Sequence, residues 1–129
     1  MDNDSQNQLE RGEKLRISMF GQDGVNRRVE ALGEFGQPLQ HIINAYAYGD
    51  VWSRSALPPA SKSLVMIAMM AAAGHENEFR VHLQGAINNG CSAEEIQEVL
   101  LLLAMYCGIP SANKAHGVAV EVLREAGKI

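Results

Sequence analysis

The chain has 129 residues, 47% hydrophobic and 20% charged, which suits one folded unit with a real core and excludes a disordered chain or two unrelated domains. Fifteen acidic residues against eleven Lys plus Arg leave a net charge of -4, with a pI of about 5.5, so the basic footprint of a nucleic-acid binder is missing. The longest apolar stretches, 64–73 and 99–107, fall short of the ~18 residues a membrane helix needs, and the start MDNDSQNQLE is polar, so a soluble chain with no membrane partner and no export signal is expected.

Residues 1–8 carry no aliphatic side chain after Met1 and read as a polar N-terminal arm, leaving 9–129 as a single domain. Leu9, Leu15, Ile17 and Met19 form a loose amphipathic helix interrupted by Gly21 and Gly24. Val25, Val29 and Leu32 continue the helical spacing until Gly33 and Gly36. Pro38 suits a first helical position, Leu39, Ile42, Ile43 and Tyr46 share a face, and Gly49 is expected to close that helix. Segment 50–59 (DVWSRSALPP), with two prolines and the only Trp, reads as a loop or bent connection.

Helices are expected over 60–73, stopped by Gly74, and over 77–89, with Phe79, Leu83, Ala86 and Ile87 on one face. Ser92 followed by Glu95 is a capping-box pattern that starts a further helix at Ala93. That helix is apolar around nearly its whole circumference from Val99 to Met105, more than a chain of this size can cover, so part of it is expected in a subunit interface. After Gly108 and Pro110 a last helix over 111–126 turns Ala112, Ala115, Val118, Val122 and Leu123 inward. No strand-like alternation and no repeat is visible, and the fold class is all-α with about six or seven helices.

Among the four histidines, His75 and His82 flank Glu78 at spacings of three and four, on one helix face beginning after Gly74. Three readings of that face are open: an ordinary Glu78–His82 surface pair, an acid/base cluster, or a metal site. Arg80 follows Glu76 by four residues, as a surface ion pair would. Trp52 with Arg54 in the 50–59 loop has the composition of a ligand lid, or of a loop anchored by its Trp. Cys91 and Cys107 form no C-x-x-C and have no His at a telling spacing, so thiol catalysis is disfavoured and a reducing cytoplasm is expected.

Taken in order, YAYGDVW (46–52), Ser63-Leu64 through Ala68-Met69, GHENEFRVH (74–82), Asn88-Asn89-Gly90, Glu94-Glu95-Ile96, Glu98-Val99-Leu100-Leu101 and YCGIPSAN (106–113) resemble the 4-carboxymuconolactone decarboxylase family. The likeness runs from about Leu9 to Leu123. It implies an AhpD-like helical bundle, a ring-shaped homohexamer (a trimer being the other oligomer considered), and a carboxy-lyase without a cofactor or metal in protocatechuate breakdown. The implied substrate is a dianionic five-membered lactone that becomes β-ketoadipate enol-lactone. The alkylhydroperoxidase D-like relatives use a C-x-x-C followed by a His and preceded by a Glu. With His82 as the shared His, the thiol positions fall on His75 and Glu78 and the Glu on Ser63, so dithiol redox chemistry has no thiolate here.

For the decarboxylase chemistry that the resemblance implies, His82 is the expected proton donor or oxyanion partner, because imidazole can donate near neutral pH, and Glu78, one turn earlier, its orienting or proton-holding neighbour. Trp52, Arg54, His75 and Arg80 are the expected substrate-binding residues, since an acidic protein that takes a dianion needs local positive charge. Two alternatives stand beside this: a paralogue on the same fold that acts on another small acid, and a non-catalytic helical oligomer or binding module.

Overall fold

The computed structural model describes residues 3–129, and among them the chain is all-α: seven α-helices, one 3-10 turn, one π-helical segment and no strand. No helix among the described residues is long and apolar enough to cross a membrane. Where the sequence reads as one domain from residue 9, the structure falls into two compact units, the first ending at Leu57 and the second spanning Pro58–Ile129.

In the first unit, α1 spans Asn3–Phe20 and α2 spans Gln22–Leu32. The expected arm is therefore corrected for residues 3–8, which are helical; Met1 and Asp2 lie outside the described residues. Side-chain amides do what aliphatic side chains do elsewhere: Gln6 donates to Glu10 one turn on, and Gln8 Nε2 donates to the Ala45 carbonyl at 2.6 Å. Gly21, at φ 79°, separates the two helices, whereas Gly24 sits inside α2 and breaks nothing.

A 3-10 turn (Glu34–Gly36) leads into α3 (Gln37–Ile42), which continues without a break as a π-helical segment over Ile43–Val51. Gly49 thus does not end a helix as expected. It is instead where the segment meets α1: a Cβ there would lie 3.1 Å from the Gln8 carbonyl carbon and closer still to its oxygen. Gly12 of α1 is the matching point, since its Cβ would lie 2.7 Å from both the Asn44 carbonyl carbon and the Gly49 nitrogen. The two backbones touch. A π-helix bonds i to i+5 and leaves its carbonyls poorly served at the end. Arg11 donates two hydrogen bonds to the Gly49 carbonyl, at 3.0 and 2.7 Å, and Ser53 donates to that of Tyr48.

The second unit holds α4 (Pro59–Ala73), α5 (Glu76–Asn88), α6 (Ala93–Cys107) and α7 (Ile109–Glu125), each close to its expected bounds. Gly74 takes the left-handed conformation that ends α4. The capping box is complete, with the Glu95 N–H donating to Ser92 Oγ and the Ser92 N–H donating to Glu95 Oε1. Ile67, Phe79, Leu83, Ile96, Leu100, Val118 and Val122 form its core. On α6 the apolar ring divides: Ile96, Leu100 and Leu103 are buried, while Leu101, Leu102, Met105 and Tyr106 stay exposed.

Candidate active site

The turn at Gly74 sets the helix that carries the His and Glu candidates. His75 is the N-cap of α5, its carbonyl accepting from Phe79 N–H at 2.8 Å, and its side chain makes no capping bond. Glu76 and Glu78 follow in the first turn, where carboxylates favour the helix dipole. Phe79, His82, Leu83 and Ala86 then turn inward. The three-residue stripe is therefore not uniform: His75 and Glu78 are exposed, and His82 is only 6% exposed. Its Nδ1 is fully enclosed and makes no hydrogen bond among the described residues, while the residue has other interactions. A buried imidazole on a core face is a group that can hold or hand over a proton away from bulk water.

Arg80 takes a different partner from the Glu76 its spacing suggests. Its Nη2 meets Glu121 of α7 at 2.8 Å, both side chains being substantially exposed. In the first unit Arg54 is exposed and pairs with Asp50 at 3.0 Å. Trp52 is partly buried and stacked on Tyr48, with ring centroids 5.9 Å apart and planes 18° apart, so the loop is anchored by its Trp. Both arginines that the sequence singles out carry a carboxylate partner.

The cation that sequence reasoning passed over is Arg16. It is 4% exposed and its Nη1 donates to Gln40 Oε1 at 2.7 Å and to Asn44 Oδ1 at 3.2 Å. Burial pushes the guanidinium down from its usual range, while the neighbouring Tyr48 acts to raise it. Tyr48 is itself buried, against Phe20 edge-on and Trp52 face-on, and burial pushes its hydroxyl up to about 12 despite Arg16 and Arg28 nearby. The signal was present in α1: Gly12, Arg16 and Met19 are its buried residues, at spacings of four and three, so Arg16 occupies a core register.

Within the second unit a cleft of about 320 Å³ is lined by Gly74, Glu76, Phe79, Ser111 and Lys114 among others. Another, of about 200 Å³, is lined by Ile96, Leu100, His116 and Leu123 among others. His82 lines neither. His116 Nδ1 donates to the Ala112 carbonyl at 2.7 Å, a bond within α7. Cys91 is buried, and burial followed by Glu95 pushes its thiol up, which makes it a poor nucleophile. Among the described residues no three His, Cys, Asp or Glu side chains are grouped to hold a metal ion.

The model of the carboxymuconolactone decarboxylase family matches residues 37–121. The chain is 40% identical over 125 residues to 4-carboxymuconolactone decarboxylase of Acinetobacter baylyi, covering 97% of this chain and 92% of that protein. It is 32% identical over 117 residues to nitrosuccinic acid decarboxylase npaB of Metarhizium robertsii, covering 91% and 82%. Peroxisomal protein 2 of Schizosaccharomyces pombe is 33% identical over 75 residues, 55% of this chain and 35% of that protein.

Proposed function

The chain belongs to the carboxymuconolactone decarboxylase family and is a carboxy-lyase; from that premise we propose that it converts 4-carboxymuconolactone to β-ketoadipate enol-lactone in protocatechuate breakdown. What supports this reading above all is the 40% identity with the Acinetobacter baylyi decarboxylase, sustained over nearly the full length of both chains.

The chemistry asks little beyond what side chains supply. The bond from ring carbon to carboxylate breaks, CO2 leaves, and the electron pair spreads through the ring C=C onto the lactone carbonyl oxygen. The substrate is its own electron sink, so no cofactor is needed for that step. The protein has to bind two negative charges, stabilise the developing oxyanion and return a proton to ring carbon. His82 is assigned the proton or the oxyanion, being the buried imidazole on α5. Glu78, one turn earlier and exposed, orients it or holds its proton. His75, Arg80 and Arg54 are assigned to the substrate carboxylates. Trp52 is assigned to cover the ring and exclude water.

The working protein is taken as a cytoplasmic homohexamer. The exposed apolar side chains of α6, Leu101, Leu102, Met105 and Tyr106, support an assembly of several copies. The relative named for nitrosuccinic acid favours a second substrate class, since nitrosuccinic acid is also a dicarboxylic acid, and it belongs in the same assay.

The test is to generate the lactone enzymatically and follow its disappearance with purified protein, with and without a chelator. Turnover that persists with chelator is expected. His82→Gln is expected to fold normally and lose at least about 100-fold in kcat. Full turnover by that variant removes His82 from the scheme, and loss of activity on chelation restores the metal reading of His75, Glu78 and His82.

A further inference from the structure

We infer that Arg16, held by Gln40 and Asn44 beside the Tyr48–Trp52 stack, is a carboxylate-binding residue that takes one carboxylate of a small planar acid in the first unit. The identity of that acid rests on the decarboxylase reading.

The argument starts from charge. Arg16 is more than nine-tenths buried, and while Arg54 pairs with Asp50 and Arg80 with Glu121, Arg16 pairs with no acid among the described residues. The chain has fifteen acidic residues to eleven basic ones, so carboxylates are plentiful, yet the two groups that touch this guanidinium are neutral amides. Removing a charge from water without a counter-charge is strongly unfavourable. A tie from α1 to α3 and the segment after it needs no charge, and a neutral amide or an internal ion pair makes it more cheaply.

Geometry then leaves one edge of the guanidinium for the counter-charge. Both protein bonds are made by Nη1. The Nε–Nη2 edge makes no hydrogen bond among the described residues, and that edge is the fork that receives a carboxylate with two parallel bonds. Two amides that fix Nη1 hold the fork in one orientation before any ligand arrives, which lowers the entropy cost of binding. Tyr48 does not supply the negative charge, since it keeps its proton until about pH 12. It does supply an aromatic face, continued by Trp52 stacked on it and Phe20 against its edge, of the kind that flanks a planar ring. Arg11 and Arg28 of this unit have other contacts: Arg11 gives two bonds to the Gly49 carbonyl, and Arg28 lies 5.0 Å over the Phe20 ring. The π-helical segment carries Asn44, Tyr48 and the backbone of Gly49 within this cluster, in keeping with the concentration of π-helices at functional sites.

Trp52 is the only Trp and reports on the cluster. Titration with succinate, a dicarboxylate with no electron sink for decarboxylation, is expected to give a saturable change in its fluorescence. Arg16→Gln is expected to weaken that binding at least about tenfold. Gln40→Glu sets a permanent carboxylate against the guanidinium, so it should keep or raise the melting temperature and weaken succinate by a similar factor. In lactone turnover both variants should raise KM more than they lower kcat. A folded Gln40→Glu protein that binds succinate as the wild type does, or a wild type with no saturable response, overturns the inference. Normal lactone turnover that is indifferent to Arg16 does so while leaving the decarboxylase reading intact. Succinate binding that depends on Arg16 in a protein inert toward the lactone has the opposite meaning: the anion site stands and the substrate assignment falls.

Discussion

Gly12→Ala adds one methyl at the point where α1 meets the π-helical segment. That carbon would stand 2.7 Å from the Asn44 carbonyl carbon and the Gly49 nitrogen, where ordinary contact needs about 3.5 Å or more. These neighbours, and the Asn44 carbonyl oxygen that lies closer still, are all backbone, so no side chain can swing aside, and the two elements must part by more than about 1 Å. Overpacking of this kind costs about 1–3 kcal/mol. The separation also stretches the bonds that cross the same seam, Gln8 to Ala45, Arg11 to Gly49 and Arg16 to Asn44, now 2.6 to 3.2 Å long, each worth about 1 kcal/mol. Alanine's better helix propensity returns about 1 kcal/mol. A net loss of about 3 kcal/mol is expected, a drop on the order of 10 °C in melting temperature. Gly117→Ala is the control with opposite sign. It lies inside α7 with no atom within 4 Å of the added carbon, so it should gain about 1 kcal/mol. Both are read by circular-dichroism melts at one fixed protein concentration, because assembly makes the midpoint concentration-dependent. A Gly12→Ala protein that melts at or above the wild type refutes the backbone contact and the reasoning built on it.

Ser92→Ala should cost about 1 kcal/mol, because it removes the oxygen that accepts the Glu95 N–H at the start of α6; urea titration with an unchanged m-value checks it. Tyr48 gives a pH signature: the folded state holds its proton up to about pH 12 against 10 for a free phenol, so the folded state binds more protons across that window. Stability is whole below pH 10 and falls by about 2 kcal/mol as pH rises to 12, and Tyr48→Phe should remove both that fall and the late component of tyrosinate absorbance.

Much of the second unit was legible because its signals are local. Gly74, the Ser92–Glu95 box and Pro110 mark helix ends through bonds made within a few residues. The apolar positions 112, 115, 118, 122 and 123 of α7 keep helical spacing and are all buried. The first unit was less legible because its ends are set by distant backbone. Gly49 reads as a stop in any local scheme, yet it is a contact point for Gln8, some forty positions earlier. Gln8 itself reads as part of the polar N-terminal arm until its amide finds the Ala45 carbonyl.

The site shows the same division. The spacing of His75, Glu78 and His82 places them along one side of a helix, but the side chain that goes inward depends on where the core lies, and that selects His82 alone. Arg54 and Arg80 stood out because they neighbour a Trp and a His-rich stretch. Their charges, however, are met by Asp50 and Glu121. Arg16 did not stand out, since a cation between Leu15 and Ile17 is ordinarily assigned to the wet face. Gly12 and Met19, four before and three after, argue the other way, because a residue in register with both shares the buried face whatever its charge. An inward register held by a charged residue is therefore worth testing before the arginines that lie nearest the recognisable motif. In this chain it leads to a cation whose partners in the fold are neutral amides.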